Sequence, residues 1–107
     1  MTFKIKQNDT SPILAATLKD ADGTAVNLNG ASIRFHMRKV GKATAAVDAA
    51  ATITGAFTGQ VQYAWSASDT STIGTYHGEF EVTYSDNSIE TFPNSGFLAI
   101  EITDDLA

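Results

Sequence analysis

The stretch TYHGEFEVTYS at residues 75–85 decides the fold class, because apolar and polar side chains alternate along almost all of it. A period of two residues is typical of a β-strand with one face in a core and the other in water. The sequence therefore predicts a long strand here, with Tyr76, Phe80, Val82 and Tyr84 facing inward. The intervening polar side chains would face outward: His77, Glu79, Glu81 and Thr83.

Similar alternation recurs on both sides of this stretch, in short runs separated by Gly, Asn, Asp or Pro turns. Residues 32–39 predict a strand with Phe35 inward, and residues 59–66 predict one with Tyr63 and Trp65 inward. Four further strands are predicted at residues 3–6, 13–19, 89–92 and 97–103. Seven to nine short strands without a convincing helix predict an all-β chain, with two antiparallel sheets packed as a sandwich in one domain spanning residues 1–107.

Residues 45–54 are ambiguous, since their alanines favour a helix on propensity alone. Val47, Ala49, Ala51 and Ile53 nevertheless alternate, and the ends of the run are β-branched, which favours a strand. A helical turn within residues 45–51 is the alternative. The small side chains and few charges also predict a flat contact region for a neighbouring subunit, with Ala49 and Ala51 as candidate interface residues.

Composition excludes several classes of function. The 107 residues include no cysteine, which rules out disulfides and thiolate zinc sites, and the formal charge of −5 opposes non-specific binding to the phosphates of nucleic acid. The longest apolar stretch is far shorter than the ~20 residues of a membrane helix. Because the N-terminus alternates Phe3 and Ile5 with lysines, it resembles neither a signal peptide nor an anchor. We expect neither a nucleic-acid nor a membrane partner.

No catalytic motif and no complete metal-ligand set occurs in the chain. His36 and His77 should face outward on adjacent strands, but a third convergent ligand is lacking. The run Asp20-Ala-Asp-Gly23 is similar to the opening of a calcium loop, yet the later ligands are missing, so a plain turn is expected. The sequence therefore predicts a protein that is not an enzyme and has no cofactor or metal.

Six phrases in a fixed order carry a resemblance to a known family: LKDADG (18–23), VNLNGA (26–31), IRFHM (33–37), GQVQYAW (59–65), GTY with EFEV (74–76 and 79–82), and ETFP (90–93). This order resembles the N-terminal domain of phage baseplate upper proteins, an immunoglobulin-like β-sandwich. The resemblance covers roughly residues 3–103.

The resemblance implies a structural virion protein of a tailed phage, which docks on the tail, baseplate or neck as an assembly module. Its partners would be other virion structural proteins in a symmetric multi-copy assembly, formed in the host cytoplasm. Family members usually carry this domain at the head of a longer chain. This chain starts at Met and ends just after its last predicted strand, so it is expected to be a complete small protein.

Asp69, Gly74 and Tyr76 resemble the Asp-x-Gly-x-Tyr corner of immunoglobulin-like folds, with a longer spacer. A tyrosine at that corner buries its ring and returns its hydroxyl to upstream backbone. We therefore expect Tyr76 to be structural.

The row Arg34, His36 and Arg38 should lie beside the strand that carries His77, Glu79 and Glu81. One interpretation is a solvated face with complementary charges, each pair contributing only tenths of a kcal/mol. The other is a surface that docks a neighbouring subunit, where arginine is enriched. On this second interpretation Arg34, His36 and Arg38 are candidate interface residues.

Two alternative functions are compatible with the same fold. A carbohydrate- or host-surface-binding module would display exposed aromatic rings, and Phe57, Phe92 and Phe97 near turns would support it if the structure clusters them in solvent. Capsid decoration would use the same fold at another place in the particle.

Overall fold

The computed structural model describes residues 2–106, and within them the chain is all-β, with no α-helix. A short 3-10 turn occupies Ala56–Thr58. The eight strands are β1 (Thr2–Lys6), β2 (Leu14–Thr17), β3 (Ser32–Lys39), β4 (Ala45–Gly55), β5 (Gln60–Tyr63), β6 (Gly74–Thr83), β7 (Ile89–Phe92) and β8 (Leu98–Thr103). Over these residues there is no helix long and apolar enough to cross a membrane. The predicted all-β class and strand number are confirmed.

The strands form one hydrogen-bonded path in the order β1-β8-β6-β3-β4-β5-β2, with β7 beside β6. Strand β1 pairs with β8 in parallel, whereas the other strand pairs are antiparallel. The sequence predicted two antiparallel sheets packed as an immunoglobulin-like sandwich. That finer architecture is not confirmed, because the pairing is continuous and includes a parallel ladder.

Strand β4 makes the path continuous. Its first part, up to Ala51, pairs with β3, and its last part, from Thr52, pairs with β5. The alternative of a helical turn within residues 45–51 is therefore wrong. Alanine's helix propensity is outweighed here because the alternating side chains of β4 pack against a core, and strand preference depends mostly on such packing.

The inward row of β4 includes two residues that the sequence had offered as interface candidates. Ala49 and Ala51 are partly buried and pack against the core, as does Ile53, while Val47 is buried. The small side chains that β4 presents to solvent are instead Ala45, Ala46, Ala50, Thr52 and Thr54. A contact surface on this strand would be built from these outward positions.

Phe35 lies at the centre of an aromatic cluster. Its ring centroid is 4.7 Å from that of Tyr63, 5.2 Å from that of Phe80 and 5.7 Å from that of Trp65. Aromatic rings at these separations contribute beyond their buried area. The five residues expected in the core are all buried: Phe35, Tyr63, Trp65, Tyr76 and Phe80.

The corner before β6 has the hydrogen bond that the sequence predicts. The Tyr76 hydroxyl donates to the carbonyl oxygen of Thr72 at 2.6 Å, and burial raises the pKa of this tyrosine. Asp69 bonds elsewhere, accepting from the Tyr63 hydroxyl and from the Ser66 amide. The corner therefore joins two tyrosines, one on each adjoining strand, to the loop between β5 and β6.

Candidate functional site

The outer face of the sheet is polar where β3 lies between β4 and β6. Ile33, Phe35 and Met37 are buried, so the alternate side chains of β3 point outward. The antiparallel register pairs Arg34 with Glu81, His36 with Glu79 and Arg38 with His77. The prediction that the polar row of β3 lies beside the polar row of β6 is thus confirmed.

The side chain of Arg34 bonds to a residue of β4, on the other side of β3 from Glu81. Its Nε donates to Asp48 Oδ1 at 2.9 Å, and its Nη2 donates to the Asp48 carbonyl oxygen at 2.8 Å. The hydrogen bond from Arg34 holds the pKa of Asp48 below its ordinary value. Sequence reasoning missed Asp48 because its position beside β3 depends on a register that includes an irregularity between Met37 and Arg38.

His36 lies between two carboxylates. Its Nε2 is 3.2 Å from Asp48 Oδ1, and its Nδ1 is 3.4 Å from Glu79 Oε2. The imidazole side chain is 25% exposed. Its two contacts link β3 to β4 and to β6. Exposed ion pairs contribute little to folding stability. The contacts of Arg34 and His36 instead hold the charged groups of this face in fixed positions.

A shallow cleft of about 410 Å³ opens at the other end of this face. The residues that define "the cleft" hereafter are His36, Arg38, Asp48, His77, Glu79 and Phe97. The His77 and Phe97 rings stack with their centroids 3.4 Å apart and their planes inclined by 14°. Phe97 is nonetheless 50% exposed, so it supplies an aromatic surface to the cleft.

The three aromatic residues considered for a carbohydrate site do not act together. Phe92 is buried and pairs with Phe80, while Phe57 is exposed in the 3-10 turn and is not among the residues that line the cleft. Only Phe97 reaches the cleft. A site built from all three rings is therefore not formed.

The Arg34 end of the outer face lies outside the cleft. Arg34 is flanked by Ala50 on β4 and Glu81 on β6, and Thr52 follows on the same side of β4. We call Arg34, Ala50, Thr52 and Glu81 the "docking patch". Within it the Arg34 guanidinium is oriented by its hydrogen bonds to Asp48.

Within residues 2–106 no group of three or more His, Cys, Asp or Glu is arranged to hold a metal ion. His36 and His77 belong to adjacent strands, and their contacts are the carboxylates and the Phe97 ring described above.

Comparison with known proteins identifies the family. No curated protein matches the chain significantly. The family model of the BppU N-terminal domain matches residues 2–105, which is nearly the whole chain. The chain therefore belongs to the BppU N-terminal domain family, the N-terminal domain of phage baseplate upper proteins.

Proposed function

We propose that this protein is a non-enzymatic structural component of a tailed-phage virion, docking on the baseplate as an assembly module. The observation that carries the proposal is the family match over residues 2–105. Its partners are other virion structural proteins, and the baseplate's symmetry fixes many copies in equivalent positions. On this proposal the fold is a variant of the immunoglobulin-like sandwich, which the Tyr76 corner supports.

The docking patch is the surface that suits this role best. Ala50 and Thr52 are exposed and have small side chains, which allow the close approach of a neighbour. Arg34 offers a planar group with several donors, and its bonds to Asp48 reduce the entropy lost when a partner binds. His36 and Arg38 extend the same row toward the cleft. Ala49 and Ala51 support this surface from the core side.

The free edges of the sheet provide a second set of contacts. Strands β1 and β2 end the hydrogen-bonded path, so each has one side without a neighbouring strand. Such an edge can pair with a strand of another chain. Lys4 and Lys6 on β1 are exposed, and these charges restrict pairing to partners that complement them.

Cryo-electron microscopy of purified phage particles at side-chain resolution tests the proposal. We expect density for this domain in a ring of the baseplate, with the docking patch against a neighbouring subunit. Density on the neck or the capsid would overturn the baseplate assignment and favour a neck or decoration role. Absence from the mature particle would overturn the virion role altogether.

A charge-reversed pair of variants tests the docking patch itself. Arg34→Glu should reduce the number of copies incorporated per particle at least tenfold, measured by quantitative mass spectrometry of purified virions. Lys19→Glu makes the same charge change at an exposed turn away from the patch and should leave incorporation unchanged. Equal incorporation of both variants would contradict the assignment of the patch.

A further inference from the structure

We propose that the cleft binds a neutral saccharide, with one pyranose ring on Phe97 and its hydroxyl groups bonded to Arg38 and Glu79. This goes beyond the docking role proposed above. The cleft and the docking patch lie at different ends of the same face, since Arg38 is four residue steps along β3 from Arg34, a distance of about 13 Å. The two roles can therefore be tested separately.

The aromatic surface is the first requirement of such a site. Stacking against His77 fixes the orientation of the Phe97 ring, and half of its surface is left in contact with solvent. A pyranose presents a face of C–H groups that is apolar and nearly flat. Such a face buries well against an aromatic ring, and burial of apolar area is the principal gain in free energy available in a shallow site.

Hydrogen-bonding capacity in the cleft is the second requirement. The Arg38 side chain makes no hydrogen bond or ion pair within residues 2–106, so its guanidinium donors are free for a ligand. Glu79 uses Oε2 toward His36, and its Oε1 has no partner among the described residues. Each sugar hydroxyl both donates and accepts. The Arg38 guanidinium can therefore donate to one hydroxyl of a sugar ring, and Glu79 Oε1 can accept from a neighbouring hydroxyl of the same ring.

The charges in the cleft favour a ligand without net charge. An anion is disfavoured by Glu79, by Asp48 and by the chain's formal charge of −5, while a cation placed beside Arg38 is disfavoured by the guanidinium. A neutral ligand with many hydroxyl groups meets neither penalty. The volume of about 410 Å³ lies at the lower end of the range for ligand sites, which suits a mono- or disaccharide unit.

Nuclear magnetic resonance with isotopically labelled full-length chain tests the proposal. The probes are methyl glucopyranoside, methyl galactopyranoside and N-acetylglucosamine, each titrated to about 50 mM. We expect at least one of them to shift the amide resonances of Ala45, His77 and Phe97 with millimolar affinity, as is usual for shallow sites with few contacts. If none of the three shifts these resonances, the proposal is overturned.

Matched phenylalanine variants show whether binding occurs at the cleft. Phe97→Ala should weaken saccharide binding at least tenfold, and Arg38→Gln should weaken it several-fold. Phe57→Ala removes an exposed phenylalanine away from the cleft and should leave binding unchanged. Thermal melting checks that each variant is folded. Equal weakening by Phe97→Ala and Phe57→Ala would contradict the site.

Charged probes distinguish the saccharide from a protein partner's side chain. If arginine amide or glucuronate binds the cleft more tightly than every neutral sugar, the proposal is overturned, and an ionic group of a neighbouring subunit becomes the better occupant. Incorporation of Phe97→Ala into virions should equal that of wild type. If Phe97→Ala lost both incorporation into virions and sugar binding, the separation of the two surfaces would be contradicted.

Discussion

The hydroxyl of Tyr63 donates a 2.6 Å hydrogen bond to Oδ2 of Asp69, which joins the end of β5 to the loop that leads to β6. Burial and this bond to a carboxylate both raise the pKa of Tyr63 above its ordinary value of 10.0. Tyr84 behaves in the same way, since burial and its bond to Glu90 raise its pKa. Burial raises the pKa of Tyr76 as well.

These pKa shifts predict loss of stability in alkali. A tyrosine with a raised folded pKa keeps its proton where the unfolded chain has lost it, so the unfolded state binds fewer protons above pH ~10. The stability contribution is full below pH ~10 and disappears as the pH rises toward the folded values. We expect the tyrosinate absorbance at 295 nm to increase together with the loss of the far-ultraviolet circular dichroism signal.

The Tyr63→Phe variant is the control for this pH dependence. It removes one of the raised pKa values, so the decline of the free energy of unfolding above pH ~10 should become shallower. Ordinary titration of all three tyrosines near pH 10 with an intact fold would contradict the prediction.

Trp65 should be essential to the core through its volume and not through its indole nitrogen. The side chain is buried against Phe3, Phe35 and Tyr63, and its Nε1 has no hydrogen-bond partner among the described residues. Trp65→Ala should therefore lower the free energy of unfolding by about 3–5 kcal/mol. Chemical denaturation measures this loss.

Trp65→Phe separates the two contributions. It keeps an aromatic ring and removes a buried donor without a partner, so its cost should be clearly smaller than that of Trp65→Ala. An alanine variant as stable as wild type would show that Trp65 is not part of the core.

Gly59 and Gly23 should respond differently to alanine, although both have positive φ angles, +66° and +88° respectively. An added Cβ at Gly59 would lie 2.5 Å from the carbonyl oxygen of Leu18, whereas at Gly23 nothing lies within 4 Å. Gly23→Ala should cost about 1–2 kcal/mol from backbone strain alone. Gly59→Ala should cost about 2–5 kcal/mol because the steric clash is added.

Unfolding of the two glycine variants in denaturant checks this difference. Equal costs would mean that the chain relaxes around Gly59, where the Leu18 amide donates to the Gly59 carbonyl at 2.7 Å.

The pKa of Asp48 should depend on Arg34. In the wild type the hydrogen bond from Arg34 lowers it below the ordinary value of 3.8, so this carboxylate favours the folded state above that pH, and the effect is lost as the pH falls through the folded value. Arg34→Met should return the pKa toward 3.8, as measured by a carboxyl-detected NMR titration.

Two other aspartates serve as internal controls in that titration. Hydrogen bonds from Thr24 and Ser88, respectively, lower the pKa values of Asp22 and Asp86. These should be the same in wild type and Arg34→Met. A change at all three aspartates would indicate a general structural change instead of a lost local bond.

Local periodicity was sufficient to predict most of the strands, because inward and outward positions alternate along each run. Strand β3 has the predicted bounds, and the Tyr76 corner forms as expected. The parallel pairing of β1 with β8 was not predicted, since it joins the two ends of the chain and no local signal specifies it. The contacts of Asp48 and the stack of His77 on Phe97 depend on cross-strand register and loop position, which the pattern of a single strand does not determine.

The parallel ladder between β1 and β8 also affects how the domain responds to mechanical force. Thr2 pairs with Ala99 and Lys6 pairs with Thr103, so the first and last strands run side by side in one direction. Tension applied at residues 2 and 103 slides these strands past each other along their axes and loads the whole ladder at once. An antiparallel pair pulled at neighbouring ends would instead open one rung at a time. We therefore expect the domain to resist stretching along its length until the terminal ladder shears as a unit.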